Sequence, residues 1–185
     1  MKSLNWNNIQ ATADGEFERL PAGPYVARII EATDKPDKEY VELLWDIAEG
    51  PKTGYYDDSW GQSHPFAHRL VLSYKDTALG MLKGRLEAIA ASNPGFDPFA
   101  AWDGGRVDMF RGRLIGINLQ EEEYERNDGE IGTRLNVCAV MDAQKVRDGL
   151  VKTRDKKTLD GKPAQKSTQP AAAPTTEWNG EVPFD

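Results

Sequence analysis

The eight residues YVELLWDI, 40–47, alternate: Val41, Leu43, Trp45 and Ile47 fall on one side of an extended chain, Glu42 and Asp46 on the other. A period of two with large apolar side chains on one side marks a strand with one buried and one open face. This strand predicts a sheet with its core on one side. The rest of the chain must supply neighbouring strands and a cover for Trp45 and its companions.

Suitable segments follow in order. PYVARIIEA, 24–32, comes after the turn LPAG and is rich in β-branched and aromatic residues, so it reads as a strand. EGPKTG, 49–54, reads as a turn, YYDDSWGQ as extended or loop, and HRLVLSY, 68–74, as a third strand. DTALGMLKGRLEAIAAS, 76–92, is the one long helix. Asp76 is its expected N-cap, Leu79, Leu82, Leu86 and Ile89 share one face, and NPG stops it. RGRLIGINLQEEEYE, 111–125, and TRLNVCAVM, 133–141, form two more strands around the turn ERNDGE, and the short amphipathic piece DAQKVRDG closes the domain. Three strands, a helix and two strands is the element order of an OB-fold, a five-stranded Greek-key barrel with a helix between strands three and four. Residues 1–150 are therefore expected to form a mainly β domain, and at 39% hydrophobic residues the chain can bury a modest core.

Beyond residue 150 the composition changes. DKKTLDGKPAQKSTQPAAAPTT, 155–176, has a single Leu among small, polar, charged and Pro residues, too little apolar surface to offset its ordering entropy. A disordered linker is expected over 151–176. At about 25 residues, flexible-chain scaling gives it a root-mean-square span on the order of 25–30 Å. Residues 177–185 then bring Trp178, Val182, Pro183 and Phe184 among Glu177, Glu181 and Asp185. Apolar side chains gain nothing from water, so an apolar tip after a polar spacer implies a surface that receives it.

The net charge is −7, and the surplus of acid lies in the first 150 residues. An acidic body argues against indiscriminate duplex binding, which depends on many phosphate contacts. It is compatible with a local groove that combines a few cations with aromatic rings. Cys138 is the single cysteine, and no apolar run approaches the roughly 18 residues that cross a bilayer. A cytoplasmic setting is expected, with no membrane partner.

The segments LPAGPYVARIIEA, IAEGPKTGYY, AASNP and FRGRLIGINLQEEEYERNDGE together resemble phage-encoded single-stranded DNA-binding proteins, over roughly residues 15 to 150. The C-terminal tip separately resembles that of bacterial single-stranded DNA-binding proteins, which ends in a few acids followed by Pro-Phe. Here Phe184 is penultimate and Glu181 alone precedes Val182-Pro183-Phe184. The resemblance implies a protein that coats single-stranded DNA in replication, recombination or repair. The tip would recruit partner enzymes through Trp178, Glu181, Val182, Pro183, Phe184 and Asp185.

Single-strand binding requires rings for base stacking and cations for the backbone. The candidates are Tyr55, Tyr56 and Trp60 after the second strand, and His68, Arg69, Tyr74 and Lys75 around the third. Arg28, Arg111, Arg113, Arg126 and Arg134 come from the other strands. Trp45 and Tyr25 read as core. Tyr55 and Tyr56 must split if extended, one ring inward and one outward. Trp60, beside Gly61, is the leading stacking residue. Alternation places Arg111 and Arg113 on one side, exposed either beyond a barrel rim or by a bulge at Gly112. Arg126 and Arg134 flank a turn where OB-folds often meet oligonucleotides, although the acids of EEEYE oppose phosphate there.

Catalytic signals are weak. His64 and His68 are separated by Pro65, there is one Cys, and Gly104-Gly105 lacks the setting and Lys of a phosphate-binding loop. Neither an enzymatic activity nor a cofactor or metal is expected. The rival readings are a protein-interaction adaptor of similar fold and, less favoured, a metal-dependent nuclease using Asp57 and Asp58.

Overall fold

β1 (Gly23–Lys35) is long enough to serve two neighbours, and this determines the architecture. Its first half, Gly23 to Arg28, pairs antiparallel with β4 (Leu114–Glu125), and its second half pairs with β2 (Tyr40–Ile47). Between Ile29 and Glu31 the register shifts, leaving Ile30 as an extra residue. Such a bulge bends the strand and sharpens its twist, so the two halves of the sheet curl toward each other. The structure, a computed structural model, describes residues 20–57 and 59–159, with only the backbone of Ser59 and Trp60. The first nineteen residues, Asp58, the spacer from 160 onward and the tip residues 177–185 lie outside the described residues.

β3 (Arg69–Ser73) extends the sheet beyond β2, and β5 (Ile131–Met141) extends it beyond β4, in the order β3-β2-β1-β4-β5. The domain is mainly β, with the strand order of an OB-like barrel whose closing pair, β3 with β5, is not made. α2 (Leu79–Ser92) packs against both of these edge strands and against β4. The Arg85 guanidinium of α2 donates to the Val71 carbonyl on the edge of β3. A helix thus caps the opening that strand pairing leaves. At its C-terminus, Asn93 donates to the Ile89 and Leu114 carbonyls and accepts from Leu114 N–H, which clamps the helix end to the start of β4.

The core occupies the side that YVELLWDI predicts. Val41, Leu43, Trp45 and Ile47 are buried with Ile29, Leu70, Leu72, Ile115, Ile117 and Leu119, under Leu82, Leu86 and Ile89 of α2 and the rings of Phe96 and Phe110. Two expectations for the helix need correction. Asp76 opens a 3-10 turn, Asp76–Ala78, and makes no capping bond to α2. Leu79 is 47% exposed, because the first turn of α2 runs past the edge of the core. A shorter helix, α3 (Pro98–Asp103), was not anticipated. Its Asp97 cap accepts from the N–H groups of Phe99 and Ala100, each at 3.0 Å.

The chain after α4 (Ala143–Arg147) does not leave the domain at residue 151. β4 overhangs the start of β1 beyond Leu119, which leaves one edge of β4 open. Residues 152–157 run along this edge. Asn118 and Gln120 donate to the Lys152 and Asp155 carbonyls, and Lys157 forms a parallel bridge with Glu122. Lys157 and Lys156 also pair with the carboxylates of Glu122 and Glu123 at 2.6 and 2.8 Å. Residues 152–157, the start of the stretch expected as linker, are therefore held on the domain.

These bonds make the strap acid-sensitive. Hydrogen bonding to Lys157, and then to Arg134, holds Glu122 below the ordinary glutamate value of 4.5, and Lys156 does the same for Glu123. A carboxylate lowered by folding contributes stability above its unfolded value and loses it as pH falls through the native one. Amide protection at Lys157 and Glu123 should therefore decline relative to Ile117 once the pH drops below 4.5. Unchanged relative protection would mean that backbone pairing alone holds the strap.

Candidate nucleic-acid interface

The bulge at Ile30 also shapes the surface opposite the core. Gly112 N–H donates to the Ile29 carbonyl at 2.7 Å, and Ile29 N–H donates to the Arg113 carbonyl at 2.9 Å, so the segment before β4 lies alongside the bulge. Phe110 to Arg113 form a type II turn: Arg111 has φ −58° and ψ 134°, Gly112 has φ 82°, and Arg113 N–H reaches the Phe110 carbonyl. Glycine suits the third position because of that positive φ. The turn separates the two arginines, contrary to the alternation argument. Arg111 stands exposed, whereas Arg113 folds back with its guanidinium 4.2 Å from the Phe96 ring centroid and its Nε on the Met109 carbonyl. Arg113 is a packing residue, because β4 begins only at Leu114.

Arg111 stands at one wall of an open cleft of about 460 Å³, shared with Ile30, Glu31, Leu44, Asp46 and His68. Tyr56, Asp57, Gln62 and Pro65 complete the lining. Arg28 is the antiparallel partner of Asp46, so both project from the same face of the sheet, and Arg69 is likewise opposite Leu44. Arg28 and Arg111 make no ion pair among the described residues. Arg69 pairs with Glu42 at 3.2 Å. That bridge is partly exposed and worth little, so phosphate can compete for the arginine.

Two predicted contact residues are buried instead. Tyr56 is 4% and His68 3% exposed, their rings stacked 4.6 Å apart, and both meet Trp45 edge-on. Neither is available as a stacking platform or an open cation. Both are drawn inward because the turn after β2 folds over the end of the core. The Asp46 carboxylate holds this turn in place by accepting from Ile47 N–H at 2.7 Å and Tyr56 N–H at 2.9 Å. Burial pushes the Asp46 carboxyl above its ordinary range, and the two N–H donors offset part of the effect. Next to it, His68 Nδ1 lies 2.7 Å from the Trp45 carbonyl and so carries the proton. Its Nε2, an acceptor in the neutral ring, is buried and without a partner among the described residues.

The remaining candidates lie elsewhere. Tyr55 is half-buried against Tyr56, and its hydroxyl receives Leu20 N–H. Tyr74 donates to Asp34 and meets Trp102 edge-on in a smaller pocket at the opposite end of β2, next to the exposed Lys75. At the β4–β5 hairpin Arg126 pairs with Glu130, and Arg134 pairs with Glu122. Within EEEYE, Glu122 and Glu123 are thus balanced by the chain's own cations. The backbone of Trp60 lies in α1 (Ser59–Ser63), and its side chain is outside the described residues.

One ring was missed. Phe66, in the 3-10 turn Pro65–His68 beside the cleft, is 70% exposed. The signal was present in HPFAH, an aromatic between two histidines in a segment with no strand or helix periodicity to bury it. Comparison with protein-family models and with curated proteins found no match. No helix among the described residues is long and apolar enough to cross a membrane.

Proposed function

We propose that this protein binds single-stranded DNA without catalysing a reaction, coats strands exposed during phage replication or recombination, and recruits enzymes through its C-terminal tip. One observation carries the reading: Arg111 lines an open cleft, Arg28 stands opposite the cleft residue Asp46 on the sheet face, and the exposed Phe66 lies in the turn whose Pro65 and His68 line the same cleft, neither arginine having an ion pair among the described residues. Cations for the backbone and a ring for the bases are the two elements that single-strand binding requires. The OB-like strand order and the resemblance of the N-terminal segments agree with it.

The acids of the cleft favour a second reading, an adaptor that binds a basic protein surface. Fluorescence titration with single-stranded and duplex oligonucleotides at two salt concentrations separates the two. Single-strand binding that weakens with salt is expected, and its absence in low salt would leave the adaptor. The tip contributes separately: deleting residues 177–185 should leave strand affinity equal or slightly higher, since the tail acids no longer compete for the cations. The same deletion should abolish co-purification of replication and repair enzymes. Retained co-purification would remove the recruiting role.

A further inference from the structure

The cleft is built unlike a phosphate site. Its carboxylates, Glu31, Asp46 and Asp57, repel an anion, and Arg111, its one arginine or lysine among the described residues, stands exposed at one wall. The deeper groups are acceptors. Asp46 is fixed by two backbone N–H bonds to a single oxygen, which leaves its second oxygen outside that pair of bonds. His68 Nε2 has no partner among the described residues, and in the neutral ring, whose other nitrogen donates to the Trp45 carbonyl, it is an acceptor. Burying a carboxylate and an unpartnered imidazole nitrogen in the wall of one cleft costs stability, and such a cost is characteristic of a binding site awaiting its ligand. The matching ligand is flat, uncharged and rich in hydrogen-bond donors.

We propose that the cleft receives the edge of one unstacked base bearing an exocyclic amino group, which donates to the Asp46 carboxylate beside the buried His68 while Arg111 takes the adjoining phosphate. This rests on the single-strand reading above and adds a base preference to it. Cytosine, adenine and guanine present an amino group. Uracil and thymine present carbonyl oxygens on either side of one N–H, and these face the Asp46 carboxylate with like partial charge. The volume of the cleft lies within the range of small-molecule sites, ample for a single base.

Oligo-dC and oligo-dU of equal length differ only at ring positions three and four, so the full chain titrated with each reads the amino group directly. Oligo-dC should bind about two- to tenfold more tightly per site, the range one net hydrogen bond supports. Asp46→Asn retains an oxygen for the two backbone N–H groups and turns the second atom into a donor. It should narrow or reverse the preference without lowering the melting temperature. Arg111→Gln should weaken both oligonucleotides alike and leave their ratio unchanged. Equal binding of dC and dU by the parent protein overturns the inference and leaves single-strand binding intact. So does an unchanged ratio in folded Asp46→Asn. Binding of neither oligonucleotide would overturn the single-strand reading as well.

Discussion

Replacing Arg28 and Arg111 together with alanine should weaken single-strand binding by about 3 kcal/mol, roughly a hundredfold, counting one charge-assisted contact of about 1.5 kcal/mol for each cation. The logarithm of affinity should also become less steeply dependent on salt, by about 1.4 in slope, because each phosphate contact on a single strand accounts for about 0.7. Both residues are exposed and unpaired among the described residues, so the double variant should melt like the parent. Arg113→Ala is the informative contrast. Its guanidinium lies on Phe96, so this variant should lose stability and keep the parent salt slope. In the same assay Phe66→Ala should cost about 1–3 kcal/mol of strand affinity with no change in slope, as stacking requires. A double arginine variant with the parent slope would show that DNA meets another face of the sheet.

Trp45→Ala should destabilise the domain by about 3–5 kcal/mol, a large part of the roughly 5–15 kcal/mol that holds a typical domain together. Trp45 is 1% exposed, and Tyr56 and His68 both lean on its ring. The loss would therefore loosen the wall of the cleft along with the core. Trp45→Phe should be much milder. The indole N–H is buried without a partner among the described residues, and removing such a group recovers about 1–3 kcal/mol against the lost volume. Denaturant unfolding of the two variants checks this. Similar losses in both would mean that the indole N–H finds a partner in solution.

Neither prediction was available from the sequence in this form. The alternation of YVELLWDI correctly placed Trp45 in the core, but it was silent on what the ring supports. Nothing in the order Tyr55-Tyr56 says which ring turns inward. Two backbone N–H groups converging on the Asp46 carboxylate decide it, ten residues away from Tyr56. Strand periodicity makes a pair of Arg111 and Arg113 because it runs three residues too far, over 111–113, before β4 begins at Leu114. Periodicity has no marker for where pairing stops, whereas the positive φ of Gly112 does.

What the sequence determined by itself is local and periodic: five strands and one long helix in OB order, the buried face of β2, and the turn between β4 and β5. Hydrophobic spacing and turn chemistry act over a few residues, so they are legible one segment at a time. Tertiary structure alone decided the contacts between distant segments. It left β3 and β5 unpaired with each other and α2 across the gap, bound residues 152–157 to the open edge of β4, and buried His68 in the cleft of Asp46 with its Nε2 unpartnered among the described residues. Each depends on which hydrogen-bonding groups the folded neighbours leave unsatisfied, and no single stretch of sequence carries that information.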